Sequence, residues 1–514
     1  MYDLVIKNGR IIDGTGSPSF FADVAIKDGK IAKVSKNIAG GEEVIDAHDL
    51  TVTPGFIDSH SHSDKAILDL PEMKEKVEQG ITTSVSGQCG GTVAPQKISD
   101  QNDRYIEGVG MMSDICKTFG SFAERVKNIP LGSSNICLVG HASVRKFVMD
   151  MSQEKPTEAE LEEMKALIRD AMEHGALGMS IGLIYPPSCY ADTDELIDLA
   201  KVVKEYDGVI AAHIRSESDQ LIEAVEEFIE IIRKSGVRGV ISHHKACGSP
   251  KNWGKVNQTL KMIDDANADG LDIYLDVYPY TATHTKASVT FVPDSGRDLM
   301  KRLESEEERK KMREWNNTKW WANDYSWVQV TKCKGYPEYE GLLVPEIAKI
   351  HGKDEYDTIL DMIHESKNAC SCSYFTMCEE DVKNVMSHPR AMICTDSSVA
   401  GSRTTFHPRL KGSFPRAIGK YVREEKVVSI QEMIRKMTSM PARVYGLRSK
   451  GLVWEGMDAD LCIFDAEKII DCSEFSDCNK RAHGLNYVIV GGRVVVEDAV
   501  FNGNKMGKMI FREA

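Results

Sequence analysis

Two histidines separated by one residue, His60 and His62, close an apolar run that opens with Gly55-Phe56-Ile57-Asp58. Strand side chains alternate faces, so both imidazoles point to one side and can share a divalent cation. A pair of this kind standing alone is commonly a coincidence. Here five further strand-like runs end in side chains of the same sort. Cys89 sits between Gln88 and Gly90, and His141 follows Gly140. His213 opens His213-Ile214-Arg215-Ser216-Glu217, His243 opens His243-His244-Lys245, and Asp396 opens Asp396-Ser397-Ser398. The chain has 14 histidines, and a random scatter rarely collects them at strand ends.

His60, His62, Cys89, His213, His243 and Asp396 form a set of imidazole, thiolate and carboxylate ligands that favours Zn²⁺. Six ligands exceed one tetrahedral site with an open position. They suit two adjacent positions, one or both occupied. Cys89 is either a thiolate that bridges them or a buried apolar cysteine. His141 either supports the site or is a neutral core histidine. Arg215 and Glu217 are expected to pair with each other or to steady the ligands. His244 must face away from His243 by strand alternation. Ile184 and Tyr185 either line a side-chain pocket or pack as loop residues.

The elements that must carry these groups alternate between apolar runs and amphipathic helices. The runs are 51–57, 82–86, 136–140, 177–180, 209–212, 239–242, 273–277 and 391–395; the clearest helices are 158–173, 194–206, 220–234, 259–268 and 429–437. Eight such steps predict an α/β fold, a (β/α)8 TIM-type barrel whose chemistry lies at the C-terminal strand ends. A doubly wound open sheet is the alternative, but no G-x-G-x-x-G follows the first run. Residues 1–52 and 446–514 instead read as short strands with Asn-Gly, Asp-Gly and Gly-Gly turns. They predict a small β-sandwich built from both termini around a barrel at 53–445. A charged insertion at about 285–345, after a late barrel strand, holds four of the six tryptophans, Trp315, Trp320, Trp321 and Trp327. It is either a subdomain burying its own aromatics or a cover for the substrate pocket.

The 514 residues carry a net charge of −14 and a pI near 5.6, which argues against a nucleic-acid partner. No run approaches the ~20 apolar residues of a membrane span, and the first seven residues lack the features of a signal peptide. Thirteen cysteines without regular spacing suit a reducing, cytoplasmic compartment, with Cys370 and Cys372 as ordinary thiols.

Pro54-Gly55-Phe56-Ile57-Asp58-Ser59-His60-Ser61-His62 resembles the first-strand signature of the amidohydrolase superfamily, and the chain resembles its D-aminoacylase (N-acyl-D-amino-acid deacylase) branch throughout. Gly87-Gln88-Cys89-Gly90, the stretch from Ala176 to Pro187, Asp276-Val277-Tyr278-Pro279-Tyr280 and His407-Pro408-Arg409 continue the likeness. Other branches bridge two metals with a carbamylated lysine at the fourth strand. No lysine stands there in this chain, and the resemblance passes that role to Cys89. It implies a tightly bound Zn²⁺ on Cys89, His213 and His243, with a second, weaker position at His60, His62 and Asp396. It implies Asp396 as general base and then general acid, and Lys245, Tyr278 and Arg409 as anchors for a substrate carboxylate; a surface salt bridge or core packing are the plainer readings of those three. The implied partner is a small N-acyl-D-amino acid, with homo-oligomerisation left open. A cyclic amidase of the dihydropyrimidinase or hydantoinase type is the nearer alternative, and a catalytically inactive scaffold the more distant one. Gln88 and Ile181 depart from the asparagine and threonine expected in the branch; neither is a ligand.

Overall fold

The computed structural model describes residues 1–99, 102–296, 298–401 and 407–512. Its centre is parallel α/β. Phe56–Asp58, Ile81–Ser86 and Ser134–Cys137 form one parallel sheet. Val139–Gly140, Gly178–Gly182, Val209–His213, Arg238–Ile241, Ile273–Val277 and Ala391–Ile393 form a second. Strands neighbour one another in chain order, with no reversal of the kind a doubly wound sheet requires. Most of their residues are buried on both faces, which explains why they read as unbroken apolar runs.

The two sheets meet on both sides. Leu177 N donates to Cys137 O at 3.0 Å and Leu138 N to Ser86 O at 2.9 Å. At the other seam, Asp396 N donates to His60 O at 2.9 Å and His62 N to Ser397 O at 3.1 Å, around a single parallel bridge between Ser61 and Ser397. A buried ion pair braces this seam. Lys76 Nζ reaches Asp58 Oδ2 at 2.9 Å, Thr395 Oγ1 at 2.8 Å and Ser397 O at 3.0 Å, and Asp58 Oδ1 accepts Thr395 N at 2.9 Å. Both charges are fully buried, so each depends on the other.

Local signals set the helices that return the chain between strands. Glu158–Glu173 starts at Thr157, which accepts from Glu160 N while the Glu160 carboxylate accepts from Thr157 N, a capping box. Thr193–Glu205 starts on the Asp192 side chain. Both bury an apolar stripe against the strands.

The expected first run at 51–57 is two strands. Thr51–Pro54 pairs antiparallel with Leu461–Phe464, and only Phe56–Asp58 enters the parallel sheet. Gly55 marks the change of partner, where a Cβ would lie 2.3 Å from the Thr82 side chain. Strands from the two ends of the chain are hydrogen-bonded into one nine-stranded sheet, with Gly41–Asp46 branching from Tyr2–Ile11. The expected insertion at 285–345 falls inside a longer unit. Thr283–Lys286, Val328–Cys333 and Cys370–Tyr374 form an antiparallel sheet over a core of its own that includes Phe291, Met312, Tyr325 and Tyr356. The unit runs on past 345 because Cys370–Tyr374 returns to lie between its other two strands. Among the described residues, no helix is long and apolar enough to cross a membrane.

Candidate metal and substrate site

The exits of the parallel strands bring the six expected ligands together. Cys89 Sγ lies 3.4 Å from His60 Nε2, 3.7 Å from His213 Nδ1 and 3.4 Å from His243 Nε2. Asp396 Oδ1 lies 3.1 Å from His62 Nε2 and 3.5 Å from His60 Nε2. Two overlapping ligand groups result, Cys89–His213–His243 and His60–His62–Cys89–Asp396, with Cys89 in both.

These spacings are those of atoms around a shared cation. A thiolate and an imidazole on one tetrahedral Zn²⁺ stand about 3.6 Å apart, from bond lengths of about 2.3 and 2.0–2.1 Å. Three of the ligands also sit in left-handed backbone that side chains disfavour: Cys89 at φ 52°, His243 at 37° and Asp396 at 47°. Such conformations cost on the order of 1–3 kcal/mol each and persist where surrounding structure enforces them. The donor set and its geometry fit zinc.

Glycine at the end of the fourth strand lets the Cys89 backbone pass close by. A Cβ on Gly182 would stand 2.1 Å from the Cys89 carbonyl oxygen. No side chain, lysine included, can reach the site from that position.

The electrostatics divide the groups. Burial pushes the Cys89 thiol well up, with help from the Asp396 and Glu217 charges. Burial holds His213 down to about 3 and His60 well below its usual range. For Asp396, burial opposes ionisation but is outweighed by Arg409 and His243, so its carboxyl is held well below the usual carboxylate range. Burial raises Asp276, whose Oδ1 accepts His243 N at 2.6 Å, to about 6.

The three expected anchors also converge. Lys245 Nζ and the Arg409 guanidinium carbon stand 5.5 and 5.0 Å from the centre of the Tyr278 ring. The only hydrogen-bond partner of the Tyr278 hydroxyl among the described residues is the Met377 thioether at 3.5 Å, a weak acceptor. Arg409 also touches the other cluster, donating from Nη1 to Asp396 Oδ2 at 2.6 Å.

Other expectations resolve differently. Arg215 does not pair with Glu217: it holds Glu227 at 2.8 Å and the carbonyls of Cys189 and Ala191. Glu217 turns inward, to His243 Nδ1 at 2.8 Å, Lys245 Nζ at 2.5 Å and His213 Nε2 at 3.5 Å. Residues 214–217 lie past the end of the strand at His213, so no strand periodicity in the sequence signals this contact. His141 is bound by Ser188 and Glu195, so it supports structure. His244 faces away and meets Thr259 at 2.8 Å. Tyr185 sets its ring edge against His213, and its hydroxyl is 3.4 Å from Thr285 Oγ1. The inserted unit buries Phe291, Tyr325 and Tyr356 but leaves Trp320 exposed and Trp315, Trp321 and Trp327 half-buried, and through Thr285 it touches Tyr185, which packs against His213.

Imidazoles, a thiolate and a carboxylate focused at the C-terminal exits of a parallel α/β sheet define a metal-dependent hydrolase. The chain belongs to the amidohydrolase family, whose model matches residues 43–321 and 346–496. It is 32% identical to a D-aminoacylase of Alcaligenes xylosoxydans xylosoxydans, over 100% of this chain and 98% of that one. It is 34% identical to an N-acyl-D-aspartate deacylase of the same organism, over 99% of this chain and 95% of the other. Among solved structures, an N-acyl-D-glutamate deacylase from Bordetella bronchiseptica, complexed with zinc and a phosphonate mimic of the tetrahedral intermediate, aligns with a TM-score of 0.84 at 31% identity. That alignment covers 99% of each chain.

Proposed function

We propose that this protein hydrolyses the amide bond of N-acyl-D-amino acids, releasing a carboxylate and a free D-amino acid. The observation that carries this reading is the convergence of two ligand groups on Cys89, beside two cations over one tyrosine ring. In this reading the parallel strands, with Ser134–Cys137 and Val139–Gly140 counted as one, are the eight of a (β/α)8 barrel at 53–445, flanked by a terminal β domain at 1–52 and 446–514.

Cys89, His213 and His243 would hold the tighter Zn²⁺, and His60, His62 and Asp396 a second. Zinc bound there supplies Lewis acidity for water and for the amide carbonyl. Asp396, kept ionised by Arg409 and His243, can take a proton from water on Oδ1 and deliver it to the leaving amine nitrogen. Lys245 spends two of its three N–H donors on Glu217 and the His243 carbonyl, leaving one for the substrate carboxylate. Arg409 keeps donors beyond the one given to Asp396, and the Tyr278 hydroxyl can exchange a thioether for a carboxylate oxygen. With carboxylate and amide both fixed, the two enantiomers must point their side chains in different directions, which is the physical basis of stereochemical choice.

The deciding experiment is a panel of N-acetyl-D- and N-acetyl-L-amino acids run beside zinc analysis. Hydrolysis of D-substrates by zinc-containing protein is expected. Preference for L-substrates, or activity on cyclic amides alone, would overturn the reading.

A further inference from the structure

Glu217 belongs to neither ligand group, yet it touches three residues of the site. Both histidines of the Cys89 group aim one nitrogen at the sulfur, His213 through Nδ1 and His243 through Nε2. When those nitrogens bind a cation, the opposite ones carry hydrogens. The opposite nitrogens face the same carboxylate, one at each oxygen: His243 Nδ1 is 2.8 Å from Oε1 and His213 Nε2 is 3.5 Å from Oε2. Among the described residues, His213 Nε2 has no hydrogen-bond partner of its own. Lys245 Nζ stands 2.5 Å from Oε1 and 2.9 Å from His243 Nδ1. Two donors that close tolerate each other only when an anion accepts from both, and Oε1 lies within reach of each.

We propose that Glu217 is a positioning residue that orients both histidines of the tighter metal position and the substrate-anchoring Lys245 through one carboxylate. The assignment of Lys245 as an anchor rests on the proposed function; the assignment to the histidines does not. The carboxylate makes metal affinity and substrate affinity depend on one group. An amide in its place would present an N–H₂ to at least one of three donors, so neutralising Glu217 disturbs both.

The test compares full-length wild type, Glu217→Gln and Lys245→Met. Zinc affinity is measured by competition with a chromophoric chelator, and kcat and KM are measured at saturating zinc on the best N-acetyl-D-amino acid. Glu217→Gln is expected to weaken zinc binding by about 10–100-fold, the usual loss for a partner of a ligating histidine. With zinc restored by mass action, its KM should rise about tenfold, a larger change than in kcat, as expected when ground-state anchoring is lost. Lys245→Met should raise KM and leave zinc affinity within about threefold, since it removes a neighbour of His243 and of the carboxylate but keeps every ligand atom and the Glu217 acceptor behind both rings. Zinc affinity of Glu217→Gln within threefold of wild type, or an unchanged KM, would overturn the proposal. If that variant does not fold, Glu217→Asp carries the same test, because its shorter side chain cannot span both rings: weakened zinc binding is expected, and wild-type affinity would overturn the proposal. Zinc affinity is read without substrate. A wild type that binds zinc but cleaves no N-acyl-D-amino acid would therefore sink the proposed function and leave this test decisive.

Discussion

The half of the site on Cys89, His213 and His243 and the half on His60, His62 and Asp396 use similar ligands but are held differently. In the first, the outer nitrogens of both histidines face the Glu217 carboxylate. In the second, His60 Nδ1, like His213 Nε2, has no hydrogen-bond partner among the described residues, and a different carboxylate, Asp276, stands 3.8 Å from it. The His62 side chain is 36% exposed, and Asp396 is gripped by Arg409. Ligand type alone does not rank two such positions. The contacts behind the ligands do, because they fix ring orientation and basicity.

Removing one ligand from each half gives the sharpest contrast. Cys89→Ala should lose the retained zinc and reduce kcat/KM by about a thousandfold or more, the scale expected when a catalytic metal goes. His62→Ala should keep one zinc per chain and lose about tenfold or less, since it strips only the exposed edge. Metal analysis after gel filtration, with kinetics on the same samples, checks both. Equal losses would erase the distinction between the halves.

The seam behind the second half offers a stability test. Lys76→Met leaves Asp58 charged and buried without its cation, at a cost of about 3–5 kcal/mol. Because Asp58 and Lys76 hold Thr395 and Ser397 on either side of Asp396, this variant should lose a second zinc before the first. Urea unfolding and zinc stoichiometry measure the two effects, and unchanged stability would mean the seam does not depend on the pair.

Protons separate the halves more gently. At pH 7 the metal-free thiol of Cys89, pushed up by burial, keeps its proton, while His213 at about 3 is neutral and has a free ring nitrogen. Zinc must displace that proton, so the first affinity should rise by about tenfold per pH unit near neutrality. His60 and Asp396 are held well below their usual ranges and have no proton to release. A second zinc should therefore show no comparable slope in a titration at several pH values, and matching slopes would contradict the assignment.

Much of this was readable in the sequence where local physics decides. Thr157 and Glu160 announce the start of Glu158–Glu173, and the apolar run Ile273–Val277 is a strand with those same limits. The six candidate ligands could be picked out because strand ends in one fold converge, and the structure brings them into two overlapping groups. What escaped depends on partners distant along the chain. Residues 51–57 are uniformly buried, and Pro54-Gly55 is the one interruption in the run, but only the pairing of Thr51–Pro54 with Leu461–Phe464 reveals two strands. Cys370–Tyr374 belongs to the inserted unit through strands about 40 and 90 residues earlier in the chain. Arg215 found Glu227 on the following helix, which freed Glu217 for His243 and Lys245.

The close passage of the Cys89 carbonyl over Gly182 has a chemical consequence beyond space. A lysine that bridges metals as a carbamate must first capture carbon dioxide, so such a site depends on dissolved bicarbonate for its assembly. Sulfur needs only to give up a proton. A site built on Cys89 is therefore indifferent to carbon dioxide supply and exposed instead to oxidants, since a thiolate stripped of its metal can be carried to the sulfenic acid and beyond. The exchange of one side chain for another moves the vulnerability of the site from gas supply to redox state.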